Sequence, residues 1–222
     1  MALYGIGDIH GCRATLAALI GALAPTPEDH LVFVGDYIDR GPDSYGVIED
    51  LLRMQHEAAS GEGPRCTFLR GNHDQMLLDW ADGLPGAYDL WRANGGLATL
   101  TSYPGTRVPD SHFAFYRATE LAVEVDGVAF VHAGLDPSRS VAEQLAEPDA
   151  ETMLWTRAHL HADRSAWEIP VVCGHTPVSA PIDEDLLIAI DTGAVYHHRM
   201  ELGRLTAVRL PEREFIAVPY QG

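Results

Sequence analysis

Basic residues are scarce in this chain. It has 15 Lys+Arg against 32 Asp+Glu, which gives a formal net charge of -17 at pH 7. A surface of this sign repels the phosphate backbone of DNA and RNA, so no nucleic-acid partner is expected. The same charge also keeps a protein in solution, and for most of the surface we prefer this simpler explanation.

Cysteines and long apolar segments are also few. Three cysteines, Cys12, Cys66 and Cys173, are too sparse and uneven for a disulfide framework and are expected to be buried thiols. No run approaches the ~20 apolar residues that span a bilayer, and the first residues lack the basic region of a signal peptide. We therefore expect a cytoplasmic protein with no membrane partner.

The pattern of apolar residues predicts one mixed domain. The 222 residues, 46% of them hydrophobic, suit a single domain over residues 1–222. In the first half, strands expected at 3–6, 31–34 and 66–69 alternate with helices, which favours a sheet covered by helices. A segment at about 84–119, rich in Trp, Tyr, Gly and Pro, is expected to be a helical insert.

The second half is richer in strand signals. Asp126-Gly127 separates two β-rich runs at 121–125 and 128–131, which predicts a hairpin. Later strands are expected at 171–172, 186–190, 205–209 and 215–218. Their pairing is expected to be antiparallel. The predicted fold class is α/β (α+β), with two sheets packed as a β-sandwich and helices outside.

Five segments share one layout, in which an apolar strand runs directly into a glycine-containing turn that carries Asp, Asn or His. Strand ends in an α/β sheet open a crevice where ligands bind, and glycine lets the backbone turn sharply towards it. These turns would place six side chains around one point: Asp8, His10, Asp36, Asn72, His132 and His175.

This set of side chains predicts a metal centre. Carboxylate, amide and imidazole ligands without a thiolate favour Mn, Fe or Zn over Ca or Mg. Six ligands exceed the need of one ion, so we expect two ions bridged by Asp36. Asp8 and His10 would hold one ion, and Asn72, His132 and His175 the other. Two ions ~3.5–4 Å apart can share a hydroxide whose pKa falls towards ~7, which supplies a nucleophile that attacks phosphorus directly.

Further groups near these turns fit phosphate chemistry. Arg40 follows the second turn, and its guanidinium matches phosphate oxygens in pairs. His73 starts at the rim of the site and could protonate the leaving alkoxide. Asp39 could hold His73 in its protonated form and orient it, or could instead cap the turn at Gly41-Pro42.

The same segments resemble the motifs of the phosphoprotein phosphatase family. The similarity is carried by Gly7-Asp8-Ile9-His10-Gly11, Gly35-Asp36-Tyr37-Ile38-Asp39-Arg40-Gly41, Gly71-Asn72-His73-Asp74, His132-Ala133-Gly134 and Gly174-His175-Thr176. By pattern and length, the chain is most similar to small bacterial and phage lambda-type Ser/Thr protein phosphatases. The resemblance implies a calcineurin-like metallophosphoesterase fold, a centre of two metal ions that is often supported by manganese, and single-step hydrolysis of phosphomonoesters.

The resemblance also assigns roles to residues. It implies the six metal ligands given above, with His73 as the general acid and Asp39 as the partner of that acid. Arg40 and Asn72 match positions that bind the substrate phosphate. Arg157, in Leu154-Trp155-Thr156-Arg157, resembles a second phosphate-binding arginine.

Other residues receive simpler interpretations. His159 and His161 are expected at the surface, and Trp80, Trp91 and Trp155 in the core. Asp183-Glu184-Asp185 is expected to be an exposed loop. One segment departs from the resemblance: Tyr196-His197-His198-Arg199 stands where glycines are usual, and a solvated loop is expected there.

Three functions are compatible with the fold that these motifs imply. The leading one is a protein Ser/Thr phosphatase that acts on phosphorylated proteins or small phosphomonoesters. The alternative is a symmetrical dinucleoside tetraphosphate hydrolase, which shares the metal motifs but typically lacks a carboxylate at the position of Asp39. A non-catalytic binding module is disfavoured because no ligand or acid is missing. The sequence carries no signal for the oligomeric state.

Overall fold

The computed structural model describes residues 1–222 and contains ten strands and eight α-helices. The strands are β1 (Leu3–Ile6), β2 (His30–Phe33), β3 (Arg65–Phe68), β4 (Ala122–Val125), β5 (Val128–Val131), β6 (Val171–Cys173), β7 (Ile182–Glu184), β8 (Leu187–Ala189), β9 (Arg204–Leu210) and β10 (Glu214–Pro219). The helices are α1 (Arg13–Leu23), α2 (Ser44–Ser60), α3 (Asn72–Ala81), α4 (Ala87–Ala93), α5 (Gly96–Ser102), α6 (Asp110–Ala118), α7 (Val141–Ala146) and α8 (Ala150–Trp155).

The strands form two five-stranded sheets, with the orders β10-β9-β1-β2-β3 and β4-β5-β6-β8-β7. In the first sheet β1, β2 and β3 are parallel, and β9 and β10 add antiparallel pairs. The predicted fold, two sheets flanked by helices in a calcineurin-like arrangement, is confirmed. None of the helices has both the length and the apolar character needed to traverse a bilayer.

The expected antiparallel pairing is wrong at the centre of the second sheet. There β5 pairs with β6 and β6 pairs with β8 in parallel, and only the edge strands β4 and β7 are antiparallel to their neighbours. A parallel pair needs a crossover, and the segment between β5 and β6 carries α7 and α8. These two helices have six residues each, which is too short for a helical pattern of apolar residues to be recognised in the sequence.

The two sheets pack face to face through an apolar layer. Leu3, Val32 and Val208 of the first sheet belong to one buried cluster with Phe130, Val172 and Ile188 of the second. Gly5 lies at the closest approach, where an added Cβ would stand 3.1 Å from Val172 and 3.2 Å from Phe130. A second, larger cluster of 27 buried residues lies between the first sheet and its helices.

The segment expected to be a helical insert carries α4, α5 and α6. It packs on the outer cluster through Trp91, whose side chain is completely buried. The helix α5 was not expected, because its sequence, GLATLTS, combines a glycine and two threonines that favour other structures. This insert supplies side chains to the site described next.

Candidate metal centre

All five predicted turns meet at one edge of the sandwich. The strands β1, β2, β3, β5 and β6 run in parallel within their sheets and end there, so the residues that follow them converge. The structure brings together all six predicted ligands, each no more than 8% exposed: Asp8, His10, Asp36, Asn72, His132 and His175. Their role as ligands stays a prediction.

Asp36 lies between two groups of possible ligand atoms. Its Oδ2 is 3.5 Å from Nε2 of His10, and its Oδ1 is 3.5 Å from Nε2 of His132. One group consists of His10, Asp36 and His73, and the other of Asp36, His132 and His175, with the ligand atoms of each group within 4.8 Å of one another. Because Asp36 belongs to both groups, it has the position that a bridging carboxylate needs.

Unpartnered polar atoms at the centre fit the presence of cations. The Oδ1 atom of Asp8 and the Nε2 atom of His175 are buried without a hydrogen-bond partner, although buried polar atoms are normally paired. Asn72 Oδ1 lies 2.9 Å from Nε2 of His132 and 2.9 Å from Nδ1 of His175. This donor set suits divalent transition metals, and a bound cation would satisfy both unpartnered atoms.

Backbone carbonyls orient the imidazoles. His10 donates from Nδ1 to the carbonyl of Ile38 at 2.8 Å, and His132 donates from Nδ1 to that of Val34 at 2.9 Å. These bonds leave the Nε2 atom of each ring directed at Asp36. Such contacts fix the tautomer of a metal-binding histidine.

Glycines are required where the turns come close together. A Cβ on Gly71 would collide with Oδ1 of Asp36, and one on Gly174 would collide with Oδ1 of Asp8. Asp36 itself adopts a positive φ of 53°, a conformation that costs a non-glycine residue energy and that clusters at functional sites. The sequence pattern of a ligand beside a glycine thus has a steric cause.

Burial and charge set the protonation states of the ligands. Burial lowers the pKa of His10 to about 3 and that of His175 to about 3, so both rings are neutral near pH 7 and able to bind a metal. Burial would raise the pKa of Asp36, but the neighbouring histidines outweigh it and hold this pKa below its usual range. Burial, followed by the charges of Asp191 and Asp36, raises the pKa of Asp8.

His73 is paired with Asp39. The Nδ1 atom of His73 lies 2.7 Å from Oδ2 of Asp39, and both side chains are buried. The carboxylate also accepts hydrogen bonds from Nε1 of Trp91, at 2.9 Å, and from Oγ1 of Thr99, at 2.6 Å. Its oxygens therefore face the histidine and the helical insert rather than capping the turn at Gly41-Pro42.

His73 lies in the possible metal group where Asp8 was expected. Asp39 occupies Nδ1 of His73, so Nε2 is the ring nitrogen that remains available for a proton or a cation. His73 therefore stays the candidate acid. Asp8 is instead tied to the other side of the centre, because its Oδ2 accepts from the backbone N–H of His175 at 3.0 Å.

Two predicted phosphate-binding arginines lie at the rim. Arg40 is exposed and its Nη1 lies 2.8 Å from Nε2 of His10. Arg157 is also exposed; after burial, its charge is among the causes that lower the pKa of His132 and His175. Both guanidiniums are thus placed beside the candidate ligands.

Three simpler expectations need correction. His159 is completely buried rather than on the surface, because it fills the space over Gly134, and its Nε2 lies 3.6 Å from Sγ of Cys173. Trp155 is 38% exposed rather than in the core, and its ring lies 6.1 Å from that of His175. Asp183 and Glu184 belong to the edge strand β7 rather than to a loop, and only Asp185 lies in the turn that follows, although all three are exposed as expected.

Three residues at this site, Trp91, Thr99 and Asp191, were not among the predicted site residues. Trp91 and Thr99 contact Asp39 from 52 and 60 positions away along the chain. Asp191 is buried next to the centre, and burial raises its pKa to about 7. A buried tryptophan needs a partner for its indole N–H, but the sequence does not say which one.

Known proteins with similar sequences include both phosphatases and nucleotide hydrolases. The chain is 32% identical to serine/threonine-protein phosphatase 1 of Salmonella typhimurium, over 91% of each chain. It is 26% identical to the asymmetrical bis(5'-nucleosyl)-tetraphosphatase PrpE of Oceanobacillus iheyensis, over 96% of this chain and 90% of that one. A solved structure proposed to be a diadenosine tetraphosphatase matches with a TM-score of 0.70 and 26% identity, over 100% of this chain and 94% of that one.

A family model agrees with the geometry of the site. The model of the calcineurin-like phosphoesterases matches residues 1–205, which include all five turns and every predicted ligand. The resemblance seen in the motifs is thereby confirmed. The chain belongs to the calcineurin-like phosphoesterase family.

Proposed function

We propose that this protein is a metal-dependent phosphatase that hydrolyses phosphoserine and phosphothreonine in proteins, and small phosphomonoesters as well. The observation that carries the proposal is the buried His73–Asp39 pair, 2.7 Å between Nδ1 and Oδ2, beside two ligand groups that share Asp36. A proton donor and a place for cations thus lie within one crevice, as hydrolysis of a phosphate ester requires.

The cations would be held by the residues at the strand ends. The proposed ligands are Asp8, His10, Asp36, Asn72, His132 and His175. Two divalent ions, manganese in our proposal and iron or zinc as alternatives, would lower the pKa of a bound water and offset the charge of the phosphate. The neutral state of the buried imidazoles favours such binding.

Arg40, Arg157, Asn72 and His73 act on the substrate, and Asp39 acts through His73. Arg40 and Arg157 bind the phosphate oxygens, for which the fork of a guanidinium is well shaped. Asn72 has its amide nitrogen available for the same group, since its Oδ1 faces the histidines. His73 gives a proton from Nε2 to the leaving oxygen, and Asp39 holds the ring through Nδ1.

Two observations support a protein substrate. The Salmonella phosphatase matches nearly the full length of both chains. Asp39 supplies a carboxylate at a position where the symmetrical tetraphosphate hydrolases typically have none. In this chain the carboxylate contacts Nδ1 of His73, the candidate acid, and orients its ring.

Hydrolysis of a dinucleoside tetraphosphate is the second candidate. It is favoured by PrpE-type relatives that align over 96% of this chain and by the exposed arginines at the rim of the site. The carboxylate of Asp39 distinguishes this chain only from the symmetrical hydrolases, so it does not weigh against the asymmetrical type.

A direct comparison of substrates tests the proposal. The manganese-loaded protein is assayed with a phosphoserine peptide, p-nitrophenyl phosphate and diadenosine tetraphosphate at equal concentrations. A higher kcat/KM for the peptide than for the tetraphosphate supports the protein phosphatase, and the reverse order supports the second candidate. Phosphate release follows the peptide and p-nitrophenyl phosphate, and separation of the nucleotides follows the tetraphosphate, which is cleaved to two ADP or to ATP and AMP. Hydrolysis of none of the three would contradict both candidates.

A further inference from the structure

Two arginines contact one tyrosine ring beside the site. The guanidinium carbon of Arg199 lies 4.8 Å from the centroid of the Tyr196 ring, and that of Arg40 lies 5.6 Å from the same point. The two positive groups are therefore no more than about 10 Å apart. Arg40 also contacts His10 at 2.8 Å, so the group formed by Arg40, Tyr196 and Arg199 extends from the candidate metal ligands to the surface.

These arginines have no acidic partner in a strongly acidic chain. Seven of the 15 arginines form ion pairs with carboxylates: Arg13, Arg53, Arg117, Arg139, Arg164, Arg209 and Arg213. Arg40 and Arg199 are among those that form none, and both are exposed. No carboxylate therefore pairs directly with either guanidinium, although the charge of Arg40 partly offsets the rise that burial causes in the pKa values of Asp8 and Asp191.

The contact with Tyr196 leaves available the N–H donors of Arg199 and those of Arg40 other than the Nη1 that lies beside His10. A guanidinium packs its flat face on an aromatic ring, while its five N–H groups point outward in its own plane. A cleft of about 260 Å³ opens beside Arg40, and its other walls include Thr101, His197 and Tyr220. There is accordingly room on this side of the site for a part of the substrate.

We propose that Arg199, which is held in position by its contact with the Tyr196 ring, binds a second anionic group of the substrate while Arg40 binds the phosphate that is cleaved. This inference rests on the proposed function, because it requires the reacting phosphate at Arg40. The recognised chemistry is a carboxylate or a further phosphate about 10 Å or less from the first. The loop that carries Tyr196 and Arg199 is the segment that departs from the motifs of related phosphatases.

Two kinds of substrate offer this chemistry. An extended peptide advances about 3.3–3.6 Å per residue, so an acidic side chain one to three positions from the phosphoserine would reach Arg199. A polyphosphate chain between two nucleosides carries its further phosphates directly next to the one that is cleaved. The experiment must therefore include a matched pair of substrates of each kind.

The first pair consists of two phosphoserine peptides that differ only in Asp or Asn two positions from the phosphoserine. The measured quantity is the ratio of kcat/KM for the acidic peptide to that for the neutral one. We expect wild type to favour the acidic peptide about fivefold, as befits one charge-assisted hydrogen bond at an exposed site. High salt should lower the ratio because exposed charges are screened.

Variants locate the source of that preference. Arg199→Ala should bring the ratio close to one, and Tyr196→Leu should lower it because the guanidinium loses its support. Arg199→Lys keeps the charge but not the fork, and should retain part of the preference. Arg65→Ala is the matched control, since it removes an exposed arginine at the amino end of β3, away from the site, and should leave the ratio unchanged.

The second pair, diadenosine tetraphosphate and p-nitrophenyl phosphate, separates the two kinds of substrate. A preference for the tetraphosphate that depends on Arg199, without one for the acidic peptide, assigns the subsite to a polyphosphate; the opposite result assigns it to a peptide. Ratios in both pairs that do not change in Arg199→Ala overturn the inference.

Failure of the inference is distinguishable from failure of the proposed function. If wild type hydrolyses none of the four substrates, the proposed function is wrong. Calorimetric binding of hydrolysis-resistant phosphonate versions of the two peptides then still tests the subsite. Equal affinity of wild type for the acidic and neutral phosphonates would overturn it.

Discussion

His73 and Asp39 form a buried pair in which Nδ1 of the imidazole lies 2.7 Å from Oδ2 of the carboxylate. The carboxylate is held in turn by Trp91 and Thr99 of the helical insert. The insert therefore fixes the orientation of the candidate acid, and it connects this part of the fold to the chemistry of the site.

The acid role of His73 predicts the effect of removing its side chain. In His73→Ala, kcat should fall by about 10²–10⁴-fold, because the leaving oxygen has no proton donor. Metal content, measured by elemental analysis, should stay at the wild-type value. A variant with full turnover would remove the acid role from His73.

Asp39 is expected to act only through His73. Asp39→Asn should lower kcat less than His73→Ala does, and the double variant should be no slower than His73→Ala alone, since both changes affect one interaction. The measurement is a double-mutant cycle on p-nitrophenyl phosphate. Fully additive losses would show that Asp39 has a separate task.

Gly174 is predicted to be essential because of its contact with Asp8. In Gly174→Ala the new Cβ would displace Oδ1 of Asp8, so affinity for one of the two metal ions should fall about tenfold or more, as for other changes that disturb metal ligands. Gly21→Ala is the matched control, since a Cβ there meets nothing within 4 Å. Equal manganese affinity in the two variants, by calorimetry, would contradict this prediction.

The buried His159 is predicted to stabilise the fold. It fills the space over Gly134 and contacts Cys173, so His159→Ala should lower the free energy of unfolding by about 2–4 kcal/mol, a cost typical of a cavity. His161→Ala, at an exposed position nearby, should change it by less than about 0.5 kcal/mol. Urea unfolding of the two variants and wild type, all metal-free, measures these changes. Equal effects of the two substitutions would contradict a stabilising role for the buried His159.

The contribution of His159 should also depend on pH. Burial lowers its pKa to about 4, below the ~6.5 of an unfolded chain, so between these values the unfolded state binds more protons and stability falls as pH falls. Gln cannot take up this proton. The unfolding free energy of wild type, relative to that of His159→Gln, should therefore be smaller at pH 4.5 than at pH 7.5. A difference that does not change with pH would contradict the assigned cause.

The sequence was sufficient to find the candidate site because each ligand lies in a glycine-containing turn that follows a strand. Gly71 and Gly174 show the reason, since the carboxylates of Asp36 and Asp8 occupy the space of a Cβ. The strand β1 was predicted with its observed bounds, because an apolar run of four residues ends at such a turn.

Features that depend on distant contacts could not be read from the sequence. Trp91 and Thr99 reach Asp39 only after the helical insert has folded onto the site, and His159 is buried by Gly134 and Cys173 from two different strand ends. The parallel pairing of β5, β6 and β8 also joins segments that are distant along the chain. The pairing of β5 with β6 depends on a crossover that contains two helices of six residues each.

Counting the manganese ions bound per chain tests the central claim most directly. Calorimetric titration of the metal-free protein should give two ions per chain, and electron paramagnetic resonance should show them as a spin-coupled pair. Asp36→Ala should abolish that coupling, because its carboxylate faces both ligand groups. A single ion per chain in the wild type, or a coupled pair that persists without Asp36, would contradict the account.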